Sequence, residues 1–197
     1  MKHSHKRERR LLRACWLRER EMRVLLVKNI VWRENRLYVV LREQEIEPFP
    51  AIPEGRSHLK GYERYIWMVG ESWLPVIAGR EQVLLELIEG RDPDEHVFPE
   101  VHLPAPRILY LLERQYAADL YTMFSGRTPP IDHRRVRLDD DKDYEDIDTQ
   151  KYDEDTVRDV ARVLGRSFMS PGLFAIRYIG RRSLGQKRKE QSVSDVD

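Results

Sequence analysis

Six potential metal ligands lie within the segment 92–102 (DPDEHVFPEVH), which makes it the densest group of chemistry-bearing side chains outside the charge runs. They are Asp92, Asp94, Glu95, His96, Glu100 and His102. Carboxylates and imidazoles are common ligands of divalent cations. However, their spacing matches no defined metal motif, and two prolines interrupt it. We therefore expect a solvated acidic loop here, and we predict no metal and no cofactor.

The single cysteine, Cys15, has arginines nearby, which would favour the thiolate form that acts as a nucleophile. Its neighbour Trp16 favours burial in a core instead. One cysteine excludes an intramolecular disulfide and a multi-cysteine zinc site. The sequence also lacks a G-x4-G-K-[ST] phosphate loop, a G-x-G-x-x-G turn, an H-E-x-x-H pair and a G-x-S-x-G elbow. Enzymatic activity is thus not indicated, and no catalytic residue is predicted.

Charge is distributed unevenly along this chain. Charged residues make up 35% of its 197 residues, against roughly 25% in an average soluble domain. Residues 2–23 hold nine basic and three acidic side chains, and 139–155 hold two basic and ten acidic ones. Residues 156–189 then hold nine basic side chains and one acidic. The formal net charge of +1 therefore conceals a basic–acidic–basic order.

The basic segments are predicted to contact the backbone of RNA or DNA, because Lys and Arg bind phosphate whatever the base sequence. Tyr178, placed among arginines, is predicted to stack on bases. The predicted nucleic-acid-binding residues are Lys6, Arg7, Arg9, Arg10, Arg13, Arg134, Arg135, Arg137, Arg177, Tyr178, Arg181 and Arg182.

The acidic run is the predicted docking segment for protein partners, since it holds too few apolar residues to fold alone. Its predicted partner-binding residues are Asp139, Asp140, Asp141, Asp143, Glu145, Asp146 and Asp148. A third interpretation is that acidic and basic segments pair with each other across the surface, each pair contributing little.

Two functional hypotheses follow from these segments. The first is a non-enzymatic structural or assembly component of a nucleoprotein complex: ribosome-like, viral or mobile-element, or DNA-associated. Its basic arms would contact nucleic acid backbone or neighbouring subunits. The alternative is an interaction or regulatory protein without nucleic acid, which docks through the acidic run and the proline-rich loops over 47–61 and 92–106.

The elements that must position these residues form a predicted α+β fold. Hydrophobic patterning predicts a small, mainly antiparallel sheet built on a hairpin over 22–46, with strands near 62–69 and 173–179, packed by helices over 80–89, 106–124 and 155–165. The first hairpin strand is apolar on both faces and is expected to be central or covered. Pro75 predicts an edge strand or a turn. Pro106 and Gly126 predict the ends of the longest helix, and Asp155 is the predicted N-cap of the last.

The N-terminal segment predicts a basic helix with one apolar stripe: Leu11, Leu12, Cys15 and Trp16. Two interpretations remain open. One is a basic arm for a phosphate backbone, and the other is a surface helix that packs Leu12 and Trp16 on the core.

The stretch 156–165 (TVRDVARVLG) resembles the first helix of a helix-turn-helix, with Ala161 four residues before Gly165. A second helix would have to follow and enter the major groove. Pro171 and Gly172 are expected to interrupt that helix, and residues 173–179 favour a strand. We therefore do not predict a helix-turn-helix.

The predicted organisation is a basic N-terminal arm or helix over 1–21, an α+β core over 22–130, a basic-then-acidic linker over 131–155, a helix and strand completing the core over 156–180, and a disordered charged tail over 181–197. No apolar run reaches the roughly 18 residues needed to span a membrane. An intracellular location is expected, cytoplasmic or with the nucleoid or nucleus. The N-terminal arginines leave an organellar signal open, although nearby glutamates argue against one.

Overall fold

The computed structural model describes residues 5–42, 71–130, 152–166 and 169–180. Within them, helices pack against a three-stranded antiparallel sheet, which confirms the predicted α+β fold. The elements in chain order are α1 (Lys6–Ala14), α2 (Glu19–Val24), β1 (Ile30–Arg33), β2 (Arg36–Arg42), β3 (Glu71–Pro75), α3 (Glu81–Ile88), α4 (Pro106–Ser125), α5 (Glu154–Val163) and α6 (Pro171–Phe174), which continues as a π-helical segment (Ala175–Ile179). None of the described helices combines the length and apolarity needed to cross a bilayer.

The predicted hairpin is confirmed over residues 30–42, where β1 and β2 pair antiparallel. Its turn consists of Glu34 and Asn35, both at positive φ (49° and 62°), which is the geometry of the tightest hairpin turns. β3 pairs with the other side of β2 and is an edge of the described sheet, as Pro75 predicted. Within the described sheet, β2 is therefore the central strand and β1 lies at the other edge.

The first half of the predicted first strand is helical. Residues 19–24 form α2, and Val27–Asn29 form a 3₁₀ turn before β1 begins. The Asn29 side chain accepts a hydrogen bond from the Leu26 N–H at 2.7 Å, which stabilises that turn. The two-sided apolar pattern arose because Leu25 is fully buried outside the sheet. The strand prediction for 23–29 was wrong for the two helical stretches, and only an isolated antiparallel bridge between Leu26 and His96 remains of it.

α4 is the central helix, and its observed bounds differ from the predicted ones by a single residue. Pro106 lies in its first turn, and Gly126 ends it in the left-handed conformation (φ 68°). One stripe, including Leu112, Tyr116 and Leu120, is buried. Helices α1 and α5 and the π-helical segment all pack on α4. The Tyr116 hydroxyl donates a 2.7 Å hydrogen bond to the Pro75 carbonyl, which ties α4 to the end of β3.

The predicted strand over 173–179 is wrong, because these residues are helical. Pro171 stands in the first turn of α6, where its missing N–H costs nothing. Packing on α4 buries Phe174, Ala175 and Ile179 on one side, and this tertiary contact overrides the strand preference of β-branched and aromatic residues.

The helix α5 is confirmed, although its N-cap is Asp153 rather than Asp155. The Asp153 carboxylate accepts a hydrogen bond from the Thr156 N–H at 2.7 Å. This bond holds the pKa of Asp153 below its ordinary value. The helix predicted over 80–89 is observed as α3, while the strand predicted near 62–69 lies outside the described residues.

Candidate nucleic-acid interface

The exposed side of α1 carries the first group of predicted cations. At about 100° per residue, positions 6, 7, 9, 10 and 13 fall within about 160° of the helix circumference. All five are exposed: Lys6, Arg7, Arg9, Arg10 and Arg13. The opposite side is buried, with Leu11, Leu12 and Cys15 fully inaccessible. We call these five side chains the α1 basic face.

The α1 basic face is held on a rigid support, because α1 is bonded to the fold at both ends. At the C-terminal end, Arg80 donates to the Arg13 carbonyl at 2.6 Å, and the Ile77 N–H donates to the Ala14 carbonyl at 2.8 Å. At the N-terminal end, the His102 N–H donates to the buried Glu8 carboxylate at 3.4 Å. Of the two interpretations of this segment, the structure therefore shows the surface helix packed on the core, with its cations still in solvent.

Four of the five cations have no ion pair within the described part of the chain. Arg10 does have one, because its Nη2 lies 2.7 Å from Glu86 on α3, with both side chains nearly half exposed. Two other exposed helical arginines each face an acid on their own helix: Arg23 with Glu19, and Arg158 with Glu154. Arg107 and Arg177 are exposed on helices without an ion pair in the described residues. The α1 basic face therefore differs from other basic positions because it groups four such cations on one side of a helix.

A cleft of about 520 Å³ opens beside this face, between α1, α3 and the loop that follows α3. Its charged lining is mixed: Arg7, Arg10, Arg91, Glu86, Glu89 and Glu95. Arg91 is bound to Glu95 and to three backbone carbonyls. The hydrogen bond from Arg91 holds the pKa of Glu95 below its ordinary value. Because its acids match its bases, this cleft is not an anion pocket, and the cations of the α1 basic face that lie outside it are Lys6, Arg9 and Arg13.

Tyr178 is buried and does not offer a ring face to a base. It is 5% exposed, and its ring stacks on Phe174 at 5.0 Å. The Arg166 guanidinium lies 5.5 Å from the centre of the same ring. Burial raises the pKa of its hydroxyl, with a smaller contribution from the Glu113 carboxylate. The predicted stacking role of Tyr178 needs correction, because tertiary packing has taken its ring into the core.

Arg177, the neighbour of Tyr178, is exposed. The remaining predicted cations, Arg134, Arg135, Arg137, Arg181 and Arg182, lie outside the described residues. So do the predicted partner-binding acids: Asp139, Asp140, Asp141, Asp143, Glu145, Asp146 and Asp148. The structure therefore brings together only the five cations of α1.

The C-terminal helices remove one sequence argument against a helix-turn-helix, because a helix does begin at Pro171 after α5. Gly165 adopts a positive φ (64°) shortly after α5 ends. However, the connection over 164–170 is longer than the 3–4 residues of that motif. The exposed positions of the second helix are Leu173 and Arg177. One long donor is a poor set for reading base edges in a groove.

The acidic loop after α3 uses its side chains in local contacts. Asp94 pairs with Lys28 at 2.7 Å, and the Asp92 carboxylate accepts from the Asp94 N–H at 2.8 Å. Across the described residues, no three or more His, Cys, Asp or Glu side chains are placed to hold a metal ion. Cys15 is fully buried, as its neighbour Trp16 led us to expect.

A second exposed feature, at the tip of the β1–β2 hairpin, was missed by the sequence interpretation. Trp32 is 54% exposed, although it shares a face of β1 with Ile30, which packs against the core. The cross-strand pair next to the turn is Arg33 opposite Arg36, both exposed. The sequence does contain a signal for this exposed tip, the tetrapeptide 33–36 (RENR), which is a polar turn with an arginine on each side.

Comparison with known proteins adds no assignment. No protein-family model, curated protein or solved structure matches this chain.

Proposed function

We propose that this protein binds the phosphate backbone of a nucleic acid, without regard to base sequence, as a non-enzymatic component of a nucleoprotein assembly. The observation that carries the proposal is the α1 basic face. It presents five cations on one side of a helix whose other side is fixed in the core. Because α1 is already ordered, binding would not require the helix to fold, and little conformational entropy would be lost.

The charge balance of this face also supports a polyanionic partner. Four cations without acidic partners in the described residues, spread along a helix about 13 Å long, repel one another at low salt. A phosphate backbone relieves that repulsion and releases its own condensed counterions, which is the main source of sequence-independent affinity. The π-helical segment after α6 exposes one long side-chain donor, Arg177, which is consistent with backbone contact rather than base readout.

The salt dependence of binding tests this proposal quantitatively. Each phosphate contact contributes about −0.9 to the slope of log K against log salt for a duplex and about −0.7 for a single strand. With Lys6, Arg7, Arg9 and Arg13 engaged, we expect slopes of about −3.6 and −2.8 respectively. Duplex affinity should then fall about 150-fold between 50 and 200 mM NaCl. Fluorescence anisotropy with a labelled 20-base-pair duplex and a labelled 20-mer of thymidylate would measure both slopes.

A matched pair of triple variants separates the α1 basic face from charge in general. Arg7→Gln, Arg9→Gln and Arg13→Gln together should reduce the slope by about 2.7 for the duplex and 2.1 for the single strand. The control removes three exposed arginines that pair with acids on their own helices: Arg23, Arg158 and Arg162. Equal losses in the two variants would contradict the proposal, because binding would then follow total charge. If the wild-type protein bound neither probe at 25 mM salt, the proposal would be wrong and protein docking would be favoured.

A further inference from the structure

The tip of the β1–β2 hairpin concentrates three features that each cost the fold free energy. Trp32 leaves more than half of its surface in water. Arg33 and Arg36 lie directly opposite each other in the ladder, where like charges are destabilising. Glu34 adopts the left-handed conformation, which residues other than Gly, Asn and Asp rarely occupy. Such departures from local preference tend to coincide with functional sites.

A ligand that carries both negative charge and flat aromatic surface would offset two of these costs. Phosphates would reduce the repulsion between the arginines, and a stacked base would cover the Trp32 ring. Charge favours this ligand at the tip itself, where Arg33 and Arg36 flank the single acid Glu34. Farther from the turn, Lys28 and Arg42 pair with Asp94 and Glu71. Arg33 is partly engaged, since it lies 3.5 Å from Glu34 and 5.1 Å from the centre of the Trp73 ring. Arg36 has no ion pair within the described residues.

The tight turn makes this tip narrow and well ordered. The two-residue turn leaves Trp32 and Leu37 on one face of the hairpin, with Arg33 and Arg36 on the other. A strand of nucleic acid crossing the tip can then place a base on the Trp32 face while its backbone passes Arg36. Bases inside a duplex are already stacked on each other, so only unpaired bases present a free face.

We propose that the β1–β2 hairpin tip is a stacking site for unpaired bases, which gives the protein a preference for single-stranded nucleic acid. This inference rests on the proposed function, because the α1 basic face supplies the remaining backbone contacts. It adds a second site, the element Trp32–Arg36, and a substrate class to that function. A protein partner docking on Trp32 is the competing outcome, since Trp and Arg are also the residues most often found at interface hot spots.

Anisotropy titrations of the full chain against the labelled thymidylate 20-mer and the 20-base-pair duplex test the site. Trp32→Ala should weaken binding to the single strand about 5- to 150-fold and leave duplex binding unchanged. Trp32→Tyr, which keeps a stacking ring, should restore most of the affinity. With Arg36 added to the four cations of the α1 basic face, the single-strand salt slope should be about −3.5, and Arg36→Gln should reduce it by about 0.7. The control is Leu173→Ala, which trims another exposed apolar side chain (52%) on α6 and should change neither affinity.

The outcomes separate this inference from the function on which it rests. If the triple α1 variant loses binding while Trp32→Ala and Trp32→Tyr bind the single strand as the wild type does, the hairpin site is refuted and the α1 basic face stands. If Trp32→Ala changes the native mass measured by light scattering, the tip is an interface between protein chains and the inference is overturned. Circular dichroism of each variant checks folding. Because Trp32→Tyr and Arg36→Gln alter only an exposed tip, they keep the test decisive even if Trp32→Ala folds poorly.

Discussion

Replacing Glu113 with alanine would remove a carboxylate that is hydrogen-bonded to the largely buried Arg166 guanidinium. Glu113 Oε1 accepts from Arg166 Nη2 at 3.0 Å and from Nε at 3.3 Å, which ties α4 to the residues after α5. The two side chains are only 8% and 14% exposed. Arg166 also lies against the ring of Tyr178, so the pair sits between α4, α5 and the π-helical segment.

The expected loss follows from this burial. Breaking a buried ion pair by removing one partner typically costs about 3–5 kcal/mol, because the remaining charge stays desolvated. A native domain is stable by only about 5–15 kcal/mol, so Glu113→Ala would remove a large part of the total. By contrast, Asp159→Ala breaks the pair with Arg162, whose side chains are 54% and 60% exposed, and should cost no more than about 1 kcal/mol.

Urea unfolding followed by circular dichroism at 222 nm measures the free energy of unfolding of both variants. Unchanged m values would show that wild type and variants expose the same surface area on unfolding. The double variant Glu113→Leu with Arg166→Met removes both charges. It should recover most of the loss, since apolar replacement of a buried pair is often neutral or stabilising. A cost below about 1 kcal/mol for Glu113→Ala, equal to that of Asp159→Ala, would refute the reasoning. The pair would then have to be effectively solvated.

Two further predictions concern pH. Asp153→Ala removes the N-cap of α5 and should cost about 1 kcal/mol at pH 7. Because the Thr156 hydrogen bond lowers the folded pKa of Asp153, this contribution is present above the ordinary pKa and is lost as pH falls through the lowered value. The difference in the free energy of unfolding between wild type and Asp153→Ala, measured in urea, should therefore shrink below about pH 4. A constant difference down to pH 2 would contradict the assignment of Asp153 as the N-cap. For Tyr178, burial raises the pKa of the hydroxyl in the folded state. Its contribution to the free energy of unfolding is therefore complete below about pH 10 and is lost as pH rises through the raised pKa. Tyr178→Phe should flatten the decline of stability above pH 10, and parallel profiles for the two proteins would refute this.

The sequence predicted an element correctly where a nearby residue determines the end of that element. Pro106 and Gly126 place the ends of α4 because each acts through its own backbone geometry. The start of α5 was misplaced, because both Asp153 and Asp155 can cap a helix. Only the observed hydrogen bond from the Thr156 N–H identifies Asp153 as the cap. The helix over 171–179 was predicted as a strand because its preference for a strand is overridden by packing on α4, which is a contact of long sequence separation.

The contrast between local sequence signals and long-range packing also explains which part of the candidate interface could be predicted. The α1 basic face was predictable, since helical spacing alone separates its cations from its buried residues. The burial of Tyr178 and the exposure of Trp32 were not predictable. Each depends on where neighbouring elements end: the ring of Tyr178 is covered by Phe174 and Arg166, whereas Trp32 lies close to the hairpin turn.

The covering of α4 by elements from both ends of the chain has a consequence for synthesis on the ribosome. α1 is made before α4, and its apolar stripe can pack on α3 but waits about ninety residues for α4. Part of the α4 surface then waits about fifty residues more for the π-helical segment. At the usual rate of about 5–20 residues per second, α4 spends on the order of 3–10 s incompletely covered. The nascent chain therefore exposes part of the apolar surface of α4 during that interval, and a product truncated before Pro171 would keep that surface uncovered.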